Sequence, residues 1–424
     1  MTMTRRTIIK GLAGASFATA AGAAIAPSVA EAAPIDAGQF ALKDRTENRN
    51  GEQFATVNAA LAGKLGKASY ETVVASANRA ATHVTSVPGV SASYLADAFT
   101  WKAGDGDTTE WIPQGIATSA DALGDGVYPA GGKRVVMVAW YADVPDGTLD
   151  KGLRISLVDY TSKSAPVYRH VLLVEPVLTS SGAPSFAPVR KHAGGITWYG
   201  NHVYVVDTFY GLRVFDLNAM FEVNTGDETL CGLNTADGEY YGYGYQYVLS
   251  QSRAYDNAGK YVRYSAVALD RSSTPDSLVV SEYSGSTLTD TDPAVTYTDG
   301  PFIGTGAPVK TPKLVRWEVD STTRLLKSVA PKEALTVKQA KVQGSVCKLG
   351  KHFLSVSNGP TGKGTLRTLA STATTPSALT GLPVGPEDLS LHAGDAGSWS
   401  YGQDVLWNLS EYAGSRYVYA VQTN

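Results

Sequence analysis

Two kinds of hydrophobic spacing divide the chain. Phe54, Val57, Leu61 and Leu65 fall three and four residues apart, and Tyr70, Val73, Val74 and Ala77 repeat that spacing after Ser69. Such positions line one face of a helix, so two short helices are expected, with Asn50 and Gln53 placed as a capping pair for the first. Val87-Pro88-Gly89 then ends the helical spacing. From Tyr94 onward the pattern changes to short apolar runs of strand length separated by turn residues.

Those runs form an internal repeat of a short strand, a turn, a second strand, and a third strand often opened by Leu-Arg. The clearest unit is Gly194-Gly195-Ile196-Thr197-Trp198, then 202–207, then Gly211-Leu212-Arg213-Val214-Phe215-Asp216. Others open at Gln114-Gly115-Ile116, at Tyr264, at Gln343-Gly344-Ser345 and at Glu387-Asp388-Leu389. The third and fifth units share Ser-Glu-Tyr-Ser/Ala-Gly, from Ser281 and from Ser410. One small sheet cannot bury both its faces alone, so repeated sheets of this kind predict a β-propeller. Five units predict five blades, or six if the Gly- and Tyr-rich stretch 217–264 hides another. The last unit lacks an outer strand, and residues 94–101 would supply it and close the ring. The domain reading is a leader over 1–32, a short helical segment over 33–92 and an all-β propeller over 93–424.

A propeller places its sites in advance. The inner strands line a central channel, so residues at their openings converge from distant parts of the chain. Here these are Trp111, Gln114, His192, Gln343, Glu387 and Asp388, a polar ring suited to a cation, a sugar or another polar small molecule. As an enzyme the chain would use His192 as general base, with Glu387 or Asp388 as its partner or as a metal ligand. Equally, a wet channel needs polar walls whether or not anything binds. Glu387 and Asp388 are neighbours in a strand and should point apart, which weakens a glycosidase reading that needs two facing carboxylates about 5 to 9 Å apart.

Other residues have weaker claims. Tyr241, Tyr243, Tyr245 and Tyr247 alternate along the chain and would share one face of an extended ribbon, where Tyr243 and Tyr245 could stack on a sugar or instead pack down to hold a loop. Asp207, Glu282 and Glu411 end second strands and are read as satisfying loop backbone. His170 is read as half-exposed, and Arg154, Arg213 and Arg367 as partners in ion pairs between blades. Asp105 and Asp107, with Asp290, Asp292 and Asp299, make calcium a candidate ion, although they lack the ordered spacing of a dedicated loop, and no motif requires a cofactor.

Thr4-Arg5-Arg6-Thr7-Ile8-Ile9-Lys10, an uncharged Ala- and Gly-rich stretch, and Ala30-Glu31-Ala32 have the layout of a twin-arginine export signal cleaved before Ala33. Secretion is therefore expected, with no stable membrane insertion after cleavage. Removing Arg5, Arg6, Lys10 and Glu31 takes 36 basic and 39 acidic residues to 33 and 38, a mild acidity that gives no reason to expect a nucleic-acid partner. Cys231 and Cys347 could pair outside the cell or remain two separate thiols. The chain has no Gly-x-Ser-x-Gly elbow, no His-Glu-x-x-His, no Gly-Lys-Ser/Thr phosphate loop and no dinucleotide fingerprint, which argues against the common serine hydrolases, zinc proteases, NTPases and nicotinamide enzymes.

Trp111-Ile112-Pro113-Gln114-Gly115, Tyr168-Arg169-His170-Val171, and His192-Ala193-Gly194-Gly195-Ile196 with Val206-Asp207-Thr208 resemble segments of twin-arginine-exported propeller proteins of actinomycetes such as streptomycetes. The resemblance implies an exported propeller and carries no activity with it. In layout the chain is also similar to lactonase-like and lyase-like propellers, whose channels hold a divalent cation, and to five-bladed lectins, although no residue role transfers from either. The expectation is a secreted monomer that binds a glycan, a cell-wall fragment or a polar small molecule at the channel mouth. The alternative is a secreted hydrolase or lyase, with or without calcium.

Overall fold

The computed structural model describes residues 33–259, 262–285, 312–370 and 376–423, and the backbone of the short strands Val295–Tyr297 and Gly304–Gly306. The leader and Asp290, Asp292 and Asp299 lie outside the described residues.

The chain is a five-bladed β-propeller, each blade an antiparallel sheet with four main strands. Blade 1 comprises Trp111–Thr118, Val135–Ala142, Leu153–Asp159 and Val167–Leu178. Blade 2 comprises Ile196–Tyr199, His202–Asp207, Gly211–Glu222 and Tyr247–Asn257. Blade 3 is built from Tyr264–Asp270, Ser277–Glu282, Lys313–Glu318 and Glu333–Thr336. Blade 4 uses Val342–Lys348, Lys351–Asn358, Gly362–Leu369 and Ser377–Val384. In blade 5, Pro386–His392, Val405–Ser410 and Tyr417–Gln422 take their fourth strand from Leu95–Thr100, far back in the chain, with Tyr417 opposite Thr100 and Val418 opposite Phe99. That strand closes the ring.

Why these strands read as unbroken apolar runs follows from their burial. A blade is covered on both faces by its neighbours, so the second strand of blade 1, Val135–Ala142, is buried at all eight positions. One apolar cluster fills each seam. Met137 and Ile155 meet Trp198 and Val205 between blades 1 and 2, and Val206 and Val214 meet Leu278 and Trp317 between blades 2 and 3. Leu314 meets Leu354, Phe353 meets Leu406, and Trp407 meets Trp140 across the remaining three.

The segment before the ring is both helical and stitched to it. Helices α1 (Phe54–Leu65) and α2 (Tyr70–Ala75) bury Phe54, Val57, Leu61, Tyr70, Val73 and Val74. Ser69 caps α2 by accepting from the Thr72 N–H, but Gln53 makes no side-chain cap to α1. Asn48 instead orders the entry to α1, its Oδ1 accepting from the Asn50 and Glu52 N–H groups. Short strands in this segment pair with outer strands of blades 1, 2, 3 and 5. Residues 217–264 form no sixth blade; they complete blade 2 and add the hairpin of Cys231–Leu233 and Tyr240–Gly242. Among the described residues no helix is long and apolar enough to cross a membrane.

Candidate functional site

The inner strands share a local irregularity that decides where their side chains go. Pairing skips one residue between Pro113 and Gly115 in blade 1, between Tyr264 and Ala266 in blade 3, and between Val342 and Gly344 in blade 4. Blade 5 skips between Pro386 and Leu389. Each skip is a β-bulge, which unpairs a residue and re-aims its side chain. The residues so released are Gln114, Ser265, Gln343 and the Glu387-Asp388 pair. A glycine follows the bulge where backbones come closest. A Cβ on Gly115 would lie 2.7 Å from the Ile196 nitrogen, and one on Gly344 would lie 2.7 Å from the Glu387 carbonyl oxygen. The repeated Gly of the sequence is therefore a packing requirement of the channel wall.

The bulges of blades 1, 3 and 4 open on one cavity at the channel mouth, enclosing about 570 Å³ including the part open to solvent. Gln114, His192, Gln343, Ser265, Arg263 and Glu411 supply its polar wall. Phe209, Tyr264 and Tyr283 supply aromatic surface. The His192 ring packs on Tyr141 with centroids 4.4 Å apart, and Trp198 lies instead against Tyr70 and Tyr128.

Two carboxyl groups sit behind the amides. Gln114 Nε2 donates to Glu411 Oε2 at 2.9 Å, and Gln343 Nε2 donates to Glu387 Oε1 at 3.2 Å. Glu387 and Glu411 are hydrogen-bonded to one another. Burial, then the charge of Glu411, pushes the Glu387 carboxyl well above the usual range, and burial also raises Glu411. The pair therefore holds a proton in common, as two close carboxylates must. Asp388 points away from the mouth. Its Oδ2 accepts from the backbone N–H of Ile116 at 3.1 Å and of Ile196 at 2.9 Å, so one carboxylate of blade 5 ties down the inner strands of blades 1 and 2. It does not line the cavity.

Trp111, Tyr243 and Tyr245 do not line this cavity. Trp111 is buried under Arg154, whose guanidinium carbon is 4.4 Å from the ring centroid. The ribbon expected to carry the tyrosines is not extended: Tyr243 has φ of 55°, and the strand ends at Gly242. Tyr243 packs into the cluster of Val57, Phe186 and Tyr240, and Tyr245 lies edge-on to Trp111, so the rings pack down.

Sequence reasoning missed Arg263 and Ser265 and undervalued Glu411, which reaches the cavity instead of merely serving a loop. The repeated Ser-Glu-Tyr of 281–283 and 410–412 was the available signal, since Tyr283 and Glu411 both reach the mouth. His170, expected to be half-exposed, is only 3% exposed. Its Nδ1 lies 2.9 Å from Ser156 Oγ and its Nε2 3.0 Å from Asp105 Oδ1, the connectivity of a Ser-His-Asp relay. Ser156 is fully buried, however, and its Oγ already accepts the Trp140 indole N–H at 2.8 Å. The relay is a buried brace.

Among the described residues no group of three or more His, Cys, Asp or Glu is arranged to hold a metal ion, and Asp105 is committed to that brace. Cys231 and Cys347 are separate thiols, raised by burial to about 12 and about 11.

No family model matches the chain, and no curated protein does. Among solved structures it is similar to RS223-Beta-xylosidase, with 10% identity, a TM-score of 0.35, and coverage of 76% of this chain and 93% of that one. It is also similar to the GH43_1 enzyme from Xanthomonas citri complexed with xylose, with 12% identity, a TM-score of 0.33, and coverage of 87% and 92%. The Pyrococcus horikoshii acylaminoacyl peptidase matches at 8% identity and a TM-score of 0.22, over 73% of this chain and 39% of that one. Overlays this loose transfer no residue and no reaction.

Proposed function

We propose that this is an exported carbohydrate-binding propeller whose ligand enters the mouth cavity. The observation that carries the reading is the set of bulges, which turns Gln114, Ser265 and Gln343 from three blades into one pocket beside Phe209 and Tyr283. Amide and hydroxyl groups fixed in this way match the hydroxyls of a sugar, and flat rings cover its apolar faces. Isothermal titration of the chain from Ala33 with a panel of neutral oligosaccharides tests it. Binding that weakens about tenfold or more in Gln343→Ala supports the reading, because one amide commonly holds a sugar hydroxyl at that scale. No saturable binding to any sugar would refute it.

A hydrolytic reading is favoured by one specific feature. Glu411 faces the cavity and shares a proton with Glu387, as a proton donor to a leaving oxygen should. Among the described residues that line the cavity it is the single carboxylate, so the second role would fall to His192. Product release from a bound glycan, abolished in Glu411→Gln with binding retained, would move the assignment from binding to catalysis.

A further inference from the structure

Among the described residues, one cationic side chain in the cavity wall makes no ion pair, although the charge of Glu282 lies near it. Five arginines are buried among the described residues: Arg154, Arg169, Arg213, Arg263 and Arg416. Arg154 and Arg213 donate to carboxylates, Arg169 donates to Gln246, and Arg416 donates to two backbone carbonyls. Arg263, 4% exposed and lining the cavity, leaves Nε and Nη1 without any hydrogen-bond partner.

The nearby carboxylates are already engaged. Glu282 accepts the Arg263 backbone N–H at 3.0 Å through Oε1, and its Oε2 is bound to Lys313 Nζ at 2.7 Å. Glu411 is held by Gln114 and by its proton-sharing partner. A guanidinium keeps its charge in a protein interior, and a buried charge without a partner is strongly unfavourable. Arg169 and Arg416 also lack a carboxylate partner but donate to a side-chain amide and to backbone carbonyls, whereas Arg263 lines a cavity, beside the amides that fit a sugar.

We propose that Arg263 recognises an anionic group on the ligand, so that the cavity takes an acidic sugar, one whose ring carries a carboxylate or a sulfate. This rests on the carbohydrate-binding reading and narrows it. Acidic and neutral sugars would then share the contacts of Gln114, Ser265 and Gln343, and only the acidic ones would reach Arg263. A charge-assisted hydrogen bond in a desolvated pocket is worth about tenfold or more in affinity. Because one counter-charge is involved, the advantage should shrink as salt rises.

The test is a titration of the full mature chain with three matched sets: oligosaccharides of a uronic acid, their carboxyl-reduced neutral forms, and sulfated forms of the same chain length. The expected result is about tenfold or greater preference for at least one anionic set over the neutral one. Arg263→Gln should bring that ratio to about one, and Arg263→Lys should restore part of it, since an ammonium keeps the charge. Gln343→Ala should weaken both neutral and acidic sugars and leave the ratio in place. The arms identify the anion: preference for the uronic acid assigns a carboxylate, and preference for the sulfated form assigns a sulfate. Equal affinity for neutral and anionic sugars, or a preference that survives in Arg263→Gln, would overturn the inference and leave the carbohydrate reading standing. No binding to any set would overturn both. Melting curves of each variant establish that it is folded.

Discussion

The seam where the ring closes and the mouth of the channel are built from the same residue types and differ in how their polar groups are satisfied. At the seam between blades 5 and 1, Asp105 on the short helix Ala103–Asp107 accepts from His170, Arg154 and Tyr168, the last at 2.7 Å, and the Arg416 guanidinium donates to its carbonyl at 2.9 Å. At the mouth, Arg263 has no such carboxylate and two of its nitrogens have no partner. Arg154 and Arg416 each leave one nitrogen unpartnered but are otherwise bound, so the seam ties pieces of chain together, whereas Arg263 has capacity left for something else. His170 and His192 illustrate the point. The first has serine and aspartate partners yet is sealed in, and the second opens on the cavity. Triad-like connectivity alone would have selected the histidine that does not reach the cavity.

The largest effect that would break the comparison is loss of the seam. Asp105→Ala should cost about 3–5 kcal/mol, since it leaves buried cationic and polar groups facing an empty site on the segment that joins the closing strand to blade 1. Chemical denaturation measures this directly. Arg263→Gln, which removes an uncompensated charge, should leave stability unchanged or raised. If the two substitutions destabilise equally, the mouth is as structural as the seam.

Acidity should act on the two regions in opposite directions. Burial, then the charge of Arg154, pushes His170 down from 6.5 to about 3. Burial works against Asp105, but the hydrogen bond from His170 and the charge of Arg154 hold its carboxyl well below the usual range. Both groups have folded pKa values below their unfolded ones. The contribution of His170 is complete above about 6.5 and is lost as pH falls toward 3, whereas that of Asp105 is complete above the ordinary 3.8 and is lost only below it. His352 and His392, each pushed down to about 4 by burial, add to that side. The Glu387–Glu411 pair is raised, so its contribution is complete below the ordinary 4.5 and declines as pH rises above it. Glu387→Gln should therefore gain stability relative to the parent protein as pH rises from 5 to about 8. Thermal unfolding across that range reads the difference. A constant gap between the two proteins would mean that the pair holds no shared proton.

How much of this was legible before the structure depends on the range over which each signal acts. Blade count, the order of the units and the closing strand were readable because each rests on local apolar runs and a recurrent glycine. Gln114 and Gln343 were readable for the same reason, since each directly precedes the glycine that marks the bulge. Arg263 carries no such mark; it lies two residues before Ser265 in a unit whose bulge is followed by Ala266 instead of glycine. The brace was illegible because Asp105 and His170 meet only when the ring closes, across 65 residues. The tyrosine ribbon failed for a conformational reason. Alternation puts side chains on one face only if the backbone is extended, and Tyr243 is in the left-handed region, followed by Gly244 with φ of 81°.

The smallest effect sharpens the boundary between seam and site. The Tyr245 hydroxyl accepts from Arg154 Nη1 at 3.2 Å, and its ring lies 6.2 Å from that of Trp111. Both contacts belong to the outer side of the closing seam, since Arg154 in turn binds Asp105. Tyr245→Phe keeps the ring and removes one hydrogen bond to a charged group, so it should cost about 0.5–1.5 kcal/mol of stability. The same substitution should leave the affinity for every sugar unchanged, because the ring does not reach the cavity. A loss of sugar affinity with little change in stability would reverse the assignment and bring the tyrosine ribbon back into the site. It would also require the ligand to extend from the channel mouth onto the face of blade 1 where Trp111 is buried.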